Sequence, residues 1–298
     1  MKYAFVLSIL LAGCAGGPSS KKALEADPAA GVVISNQDFA KKKPIVYTPG
    51  QDHYNAKGKG DNVLLSESAN NASDAEMKEI LAGKDPLAVM MASCYERDYQ
   101  RAFGIAEAIF NTHLKLPTYW NQIATCYLLQ GNERKALLFY NKAIEVSPDY
   151  VPALNNIGVI YGKNNQDQKA QVALQRALKN GQFTRTPRYN QAHLLLNYGL
   201  ADKSLPIFQG LSNEAPNDVE VRIGLANSLA VLARWEEAWE HFSLVPDKLR
   251  RRSDVGLNMS LTAYRLGKKD LAKDLLSATD AEGLAKRYAN ELKRVIGD

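Results

Sequence analysis

Three cysteines and four histidines are the side chains of this 298-residue sequence best suited to act as nucleophiles or metal ligands. The histidines are scattered along the chain as His53, His113, His193 and His241. No His-Glu-x-x-His metal motif, phosphate-binding loop or nucleophile elbow occurs in the sequence. We therefore expect no catalytic residue, no metal site and no cofactor, and we predict that the protein is not an enzyme.

Cys94 and Cys126 lie in similar contexts, in Ala92-Ser93-Cys94-Tyr95 and Ala124-Thr125-Cys126-Tyr127. An oxidising compartment would permit a disulfide between them. However, neighbouring helices pack about 8–10 Å apart, whereas a disulfide needs Cα atoms within about 4.4–6.8 Å. We therefore expect two buried small residues rather than a bridge.

Cys14 comes at the end of a leader-like N-terminus. Met1-Lys2 is charged, and Tyr3 to Leu10 is an apolar run too short to span a bilayer. Small residues then precede Cys14, which is typical of a secretory leader. An ordinary leader with an incidental cysteine is the alternative interpretation.

The chain beyond the leader is organised around the stretch Pro117 to Tyr150. Trp120, Ile123, Ala124 and Tyr127 lie at i, i+3, i+4 and i+7, on one face of a first helix. A second helix carries Ala136, Tyr140 and Ala143 in the same way, after a turn at residues 130–132. A pair of helices with one apolar face each needs neighbours of the same kind to bury those faces.

Copies of this stretch recur with a period of about 34 residues. The predicted hairpins span residues 85–116, 117–150, 151–184, 185–218, 219–252 and 253–284. An apolar stripe of Leu284, Tyr288, Leu292 and Ile296 then predicts a capping helix at 284–296. The expected fold is all-α, a solenoid of about six helical hairpins over residues 73–298.

The period and the large–small–aromatic pattern resemble the tetratricopeptide (TPR) family. The resemblance implies a right-handed superhelix whose first helices line an inner groove, and a groove that binds protein partners. It implies that the groove-facing residues are Asn121, Thr125, Leu128, Asn155, Val159, Lys163, Tyr189, His193, Leu196, Asn227, Tyr264 and Arg265. Asparagine and tyrosine can hydrogen-bond a peptide backbone; solvent-facing residues without a partner are the alternative.

Leu11-Ala12-Gly13-Cys14 resembles a bacterial lipobox. The resemblance implies that residues 1–13 are a cleaved lipoprotein signal peptide and that Cys14 carries the lipid, including palmitate. Because Ala15 rather than Asp follows Cys14, it also implies the outer membrane, with the protein facing the periplasm. Residues 14–72 are rich in Gly, Ser, Asn, Lys and Pro, which predicts a flexible, disordered tether.

The charge pattern argues against a nucleic-acid partner. The net charge of +5 is small for this length, and a nucleic-acid-binding protein would more often show a concentrated basic face. The one dense cluster, residues 248–252 with Lys248, Arg250, Arg251 and Arg252, falls in an expected turn. We interpret it as a solvated loop, with an acidic partner or a lipid headgroup as the alternative.

A lipid anchor followed by six repeats resembles the six-TPR lipoproteins that serve as pilotins for type IV pilus secretins. The resemblance implies a non-enzymatic scaffold whose partner is a cell-envelope protein such as a secretin subunit, and a membrane contact through the lipid alone. The alternatives are a scaffold in gliding motility or β-barrel assembly, or a regulator of cell-wall enzymes.

Overall fold

The computed structural model describes residue 78 and residues 81–179 and 185–297, and these ranges contain 14 helices and no strand. The helices are α1 (Pro86–Tyr95), α2 (Tyr99–His113), α3 (Pro117–Leu129), α4 (Glu133–Val146), α5 (Val151–Lys163), α6 (Asp167–Leu178), α7 (Arg185–Asn197), α8 (Ala201–Glu214), α9 (Val219–Val231), α10 (Trp235–Ser243), α11 (Asp247–Arg250), α12 (Ser253–Arg265), α13 (Lys269–Ser277) and α14 (Gly283–Ile296). This confirms the predicted all-α fold of helical hairpins.

The helices belong to two compact units, and the division falls within α7, between Asn190 and Gln191. We call the described residues up to Asn190 the N-unit and those from Gln191 the C-unit. The predicted signal peptide, the tether and Cys14 lie outside the described residues. Over the ranges that the structure describes, no helix has the length and apolar content needed to cross a bilayer.

The turns between paired helices keep the predicted period. Six residues with positive φ follow one another at intervals of 34, namely Arg97, Gly131, Asn165, Gly199, Ala233 and Gly267. At each turn the next amide donates back to a carbonyl five residues earlier, as from Asn132 to Tyr127. This is the Schellman ending of a helix, which needs a left-handed residue after the last helical turn.

The N-unit core is built from small and aromatic side chains. Ala124 and Ala136 are fully buried, which lets α3 and α4 approach closely as the sequence predicted. Tyr119 and Tyr140 are also buried, and the Tyr119 hydroxyl donates to the Ala106 carbonyl at 2.8 Å. Buried tyrosines normally find such a partner, because an unpaired hydroxyl is costly to bury.

The C-unit ends in the predicted capping helix. Leu292 and Ile296 of α14 are buried against Leu257 and Leu261 of α12. Leu284 is 53 % exposed, so its predicted place in the buried stripe is wrong. The physical reason is that α14 begins at Gly283, which leaves Leu284 in its first turn, away from the last two turns that carry Leu292 and Ile296.

Candidate protein-interaction site

The structure places most of the predicted groove residues in buried positions. Eight of them are buried: Asn121, Thr125, Asn155, Val159, Tyr189, His193, Leu196 and Asn227. Four are half-buried: Leu128, Lys163, Tyr264 and Arg265. Their binding of a partner stays a prediction, and what the structure adds is the set of contacts that each of them makes.

In the N-unit, four asparagines form a continuous chain of hydrogen bonds, which we call the amide ladder. Asn156 donates to the side-chain oxygen of Asn121 at 3.2 Å, and Asn155 donates to Asn156 at 3.0 Å. Asn190 donates to Asn155 at 2.7 Å. The ladder therefore joins α3, α5 and the start of α7, the first helices of three successive hairpins.

The sequence prediction found only half of the amide ladder. Asn121 and Asn155 were included because the family resemblance places the fifth residue of each first helix in the groove. Asn156 and Asn190 are the sixth residues of α5 and α7, and they were missed. Their signal was present in the sequence, since they are also 34 residues apart.

Thr125 makes its contacts inside one hairpin rather than along the ladder. Its hydroxyl donates to the Asn121 carbonyl at 3.0 Å and lies 2.9 Å from the Tyr140 hydroxyl of α4. These bonds satisfy two buried hydroxyls and fix α4 against α3. Thr125 thus supports the helix that carries the first amide of the ladder.

Cys94 and Cys126 form a disulfide between α1 and α3, which corrects the expectation of two separate thiols. Their Cα atoms are 5.2 Å apart. The expectation used the usual distance between helix axes, but two Cα atoms on facing sides of adjacent helices lie closer than the axes do. The side chains are 1 % and 0 % exposed, so the bridge is buried in the N-unit core.

His193 of the C-unit is buried with the edge of its ring 5.1 Å, centroid to centroid, from Phe208. Burial lowers the pKa of His193 to about 4, and Arg252 lowers it further, while Asp254 acts in the opposite direction. The imidazole is therefore neutral at pH 7. In the same unit, Asn258 donates to Asn227 at 3.0 Å.

A charged cluster, which we call the arginine triad, lies at the starts of α9 and α12 in the C-unit. Arg252 donates to Glu220 at 2.6 Å and, with two nitrogens, to Asp254 at 3.0 and 2.7 Å. Burial alone would lower the Arg252 pKa, but the bonds to Asp254 and Glu220 raise it above its ordinary value. Burial also raises the Glu220 pKa, and Arg252 only partly offsets this.

The opposite expectations for an ion pair thus disagree at Glu220. A nearby guanidinium should lower a carboxyl pKa, yet the net shift is upward. We attribute it to the nearly complete burial of the Glu220 side chain, which is 5 % exposed, because desolvation of a carboxylate can exceed the gain from its partner. The triad therefore fixes geometry at an energetic cost.

The basic cluster at residues 248–252 differs from both interpretations made from the sequence. Arg250 donates to the carbonyls of Val245 and Ser243, and Arg251 makes two bonds to Asp280. Together with Arg252, all three arginines bind groups of the same chain. The pattern missed this because Glu220 and Asp280 are about 30 residues away in sequence.

The remaining predicted groove residues, Tyr264 and Arg265, lie near the end of α12. Tyr264 packs against the C-terminal hydrophobic cluster. The Arg265 guanidinium lies 5.5 Å from the centroid of the Trp235 ring, and Lys268 lies 4.7 Å from that of Trp239. These cation–π contacts connect α12 and the following turn to α10. Among the described residues, no group of three or more His, Cys, Asp or Glu side chains could hold a metal ion.

Two family models match part of this chain. Residues 117–150 and residues 139–172 each match a model described as tetratricopeptide repeat. A curated relative, anaphase-promoting complex subunit 3 of Schizosaccharomyces pombe, is 25 % identical over 125 residues. That match covers 42 % of this chain, and this chain spans only 19 % of the relative's length.

Solved structures with similar folds include PilW, described as a widely conserved type IV pilus biogenesis factor. The TM-score is 0.57 at 18 % identity, over 71 % of this chain and 97 % of PilW. The anaphase-promoting complex assembly Cut9–Hcn1 gives a TM-score of 0.59 at 14 % identity, over 75 % of this chain and 52 % of that one. At these identities the likeness shows the fold.

The hairpins, the 34-residue turns and the matched repeats define this chain as a TPR-type scaffold for protein–protein interaction. Proteins built from such repeats are generally non-enzymatic and bind protein partners.

Proposed function

We propose that this protein is a lipid-anchored scaffold of the bacterial cell envelope whose N-unit binds an extended segment of an envelope protein. Cys14 holds it at the outer membrane, and the partner to test first is a secretin subunit of the type IV pilus machinery. This choice of partner comes from the resemblance to pilotins and from the description of PilW as a pilus biogenesis factor. The fold likeness by itself does not assign it.

The observation that carries the proposal is the amide ladder. Its four side chains are primary amides, and each combines a donor and an acceptor with the geometry of a peptide group. Asn121, Asn156, Asn155 and Asn190 are joined in one line across three repeats. A line of amides with this spacing suits an extended main chain, which presents donors and acceptors in alternation.

Two observations support the proposed location. The sequence before Cys14 reads as a leader, and the Cys94–Cys126 bridge is typical of proteins exposed to an oxidising compartment. A lipid anchor also raises the effective concentration of the scaffold at the membrane where an envelope partner assembles.

The anchor is tested with Cys14→Ser in cells labelled with palmitate. We expect label and outer-membrane fractionation for the natural chain and neither for the variant. Label that survives in the variant contradicts the anchor, and it leaves the binding proposal to be judged separately.

The binding face is tested by crosslinking in isolated envelopes, followed by detection of secretin subunits. Asn155→Ala removes the central amide of the ladder, and Lys163→Ala changes a half-buried predicted groove residue on the same helix. Gln168→Ala, an exposed amide on α6, is the matched control. We expect at least a tenfold loss of crosslinked secretin for Asn155→Ala, a smaller loss for Lys163→Ala and none for the control.

Folding must be separated from binding in that experiment. The urea midpoint of each purified variant is therefore measured alongside. Undiminished crosslinking by folded Asn155→Ala contradicts the role of the ladder. Deletion of the gene with normal secretin multimers in the outer membrane contradicts the choice of partner.

A further inference from the structure

The Cys94–Cys126 bridge joins the outermost described hairpin, α1–α2, to α3. Its burial in the N-unit core means that small reagents cannot reach either sulfur in the closed structure. The bridge encloses the whole of α2 in a loop, because the two cysteines are 32 residues apart. It is therefore placed to control whether this hairpin stays attached to the rest of the array.

Packing alone holds α2 weakly. Of its 15 residues, only Ala102 and Ala106 are buried. By contrast, α4 buries Tyr140 and Ile144 in addition to two alanines. Since alanine contributes little apolar area, the outermost hairpin gains less from burial than the next one. Segments with few buried apolar contacts open at low free-energy cost.

The turn between α1 and α2 adds a further cost. Arg97 has φ of 62°, a left-handed conformation that is unfavourable for a residue with a Cβ. The following hairpin has Gly131 at the equivalent position. The first hairpin thus combines strain in its turn with limited burial.

We propose that the bridge makes folding of the α1–α2 hairpin conditional on oxidation, so that the N-unit is completed only after export. Cys126 lies on α3, the helix that also carries Asn121 of the amide ladder, so the bridge fixes α1 against the ladder's first helix. The biological use of this device rests on the proposed function, but the device itself is a property of the purified chain.

The oxidation step needs an electron acceptor, and a thiol–disulfide oxidoreductase with its own disulfide supplies it. One cysteine thiolate attacks a sulfur of that disulfide and forms a mixed disulfide. The second cysteine displaces the oxidoreductase, which leaves as a dithiol. Two protons and two electrons pass from the chain, and one S–S bond forms in it.

Hydrogen exchange on the purified protein measures the effect. We compare the oxidised protein, the protein reduced with dithiothreitol and the Cys94→Ala/Cys126→Ala double variant. Closure of a loop of this length changes the opening equilibrium by about 10²- to 10³-fold. We therefore expect exchange of α1 and α2 amides to rise by about that factor on reduction, and to be fast in the double variant with or without reductant.

Three readouts decide the outcome. Amides of α12–α14 in the C-unit should exchange at the same rate in all three samples. Trypsin without reductant should yield a linked pair of peptides, residues 85–97 and 116–134. Two separately alkylated peptides, or unchanged exchange of α1 and α2 after reduction, would overturn the proposal. Neither readout depends on a partner, so failure of the proposed function leaves the result interpretable.

Discussion

In the N-unit, neutral amides join successive first helices, whereas in the C-unit charged groups also do so. Asn121, Asn155, Asn156 and Asn190 connect α3, α5 and α7. Glu220 and Arg252 connect the starts of α9 and α12. The difference teaches that one repeat geometry accepts two chemical solutions, and that only the second should respond to pH.

Glycine packing is the place where the two units should differ most in stability. A Cβ built on Gly224 of α9 overlaps the ring of the fully buried Phe208, whereas one built on Gly158 of α5 meets Leu174 Cγ at 2.8 Å. We expect Gly224→Ala to cost about 3 kcal/mol of unfolding free energy in the C-unit and Gly158→Ala about 1–2 kcal/mol in the N-unit. Regional hydrogen exchange measures both.

The control for this comparison is Gly210→Ala. A Cβ at Gly210 meets nothing within 4 Å, and the residue lies inside α8. Because glycine is a poor helix former, this variant should gain about 0.5–1 kcal/mol. An equal loss at Gly210 and Gly224 would contradict the steric explanation.

Removing the centre of the arginine triad should be the next largest effect. Arg252→Met leaves the buried Glu220 carboxylate without its guanidinium, and we expect a cost of about 2–3 kcal/mol at pH 8. The Glu220 pKa, already raised by burial, should rise further in the variant. A raised carboxyl pKa means that stability is lost as pH increases, so the deficit should shrink toward pH 5.

Asn190→Ala in the N-unit is the comparison for Arg252→Met. It removes an amide that donates to Asn155 but no charge. Urea unfolding of both variants at pH 5 and pH 8 measures the difference. A deficit of Asn190→Ala that varies with pH as much as that of Arg252→Met would show that the contrast between units is wrong.

His193 should make the C-unit less stable in mild acid. Its folded pKa of about 4 lies below the ordinary value of 6.5, so only the unfolded chain gains a proton between these values. The contribution of the neutral ring is therefore fully present above pH 6.5 and is lost as pH falls. From pH 7.5 to pH 5 we expect a loss of about 2 kcal/mol.

His193→Phe isolates this effect, because phenylalanine keeps an aromatic ring beside Phe208 and cannot be protonated. The difference between unfolding free energies at pH 7.5 and pH 5 should be about 2 kcal/mol smaller in the variant. Groups near His193 include Asp254 and Arg252, so Arg252→Met is run in parallel. Identical pH profiles for the natural chain and His193→Phe would rule out the assignment.

The fold could be predicted from the sequence because apolar periodicity and a 34-residue repeat are local signals. The joints between repeats were harder, since they depend on residues one repeat apart. Asn156 and Asn190 recur with the period but were hidden by a rule that selected their neighbours. The partners of Arg251 and Arg252, and the bridge from Cys94 to Cys126, depend on distances between side chains that periodicity does not report.

The left-handed turns show the same limit on a smaller scale. Glycine marked Gly131, Gly199 and Gly267 in the sequence, but nothing marked Arg97 and Ala233 as left-handed. A non-glycine residue there carries a strain that the rest of the repeat tolerates. The structure is needed to find it, because the residue type alone favours a right-handed conformation.

Relieving that strain is the smallest effect that we predict. Ala233 has φ of 58°, and Ala233→Gly should stabilise the C-unit by about 1 kcal/mol, because the steric cost removed exceeds the added entropy of the unfolded chain. Asn165→Gly in the N-unit should gain only a few tenths of a kcal/mol, since asparagine tolerates this conformation. Gly131→Ala should lose about 1 kcal/mol. Regional hydrogen exchange ranks the three, and a loss of stability in Ala233→Gly would mean that the Ala233 side chain contributes more by packing than its backbone conformation costs.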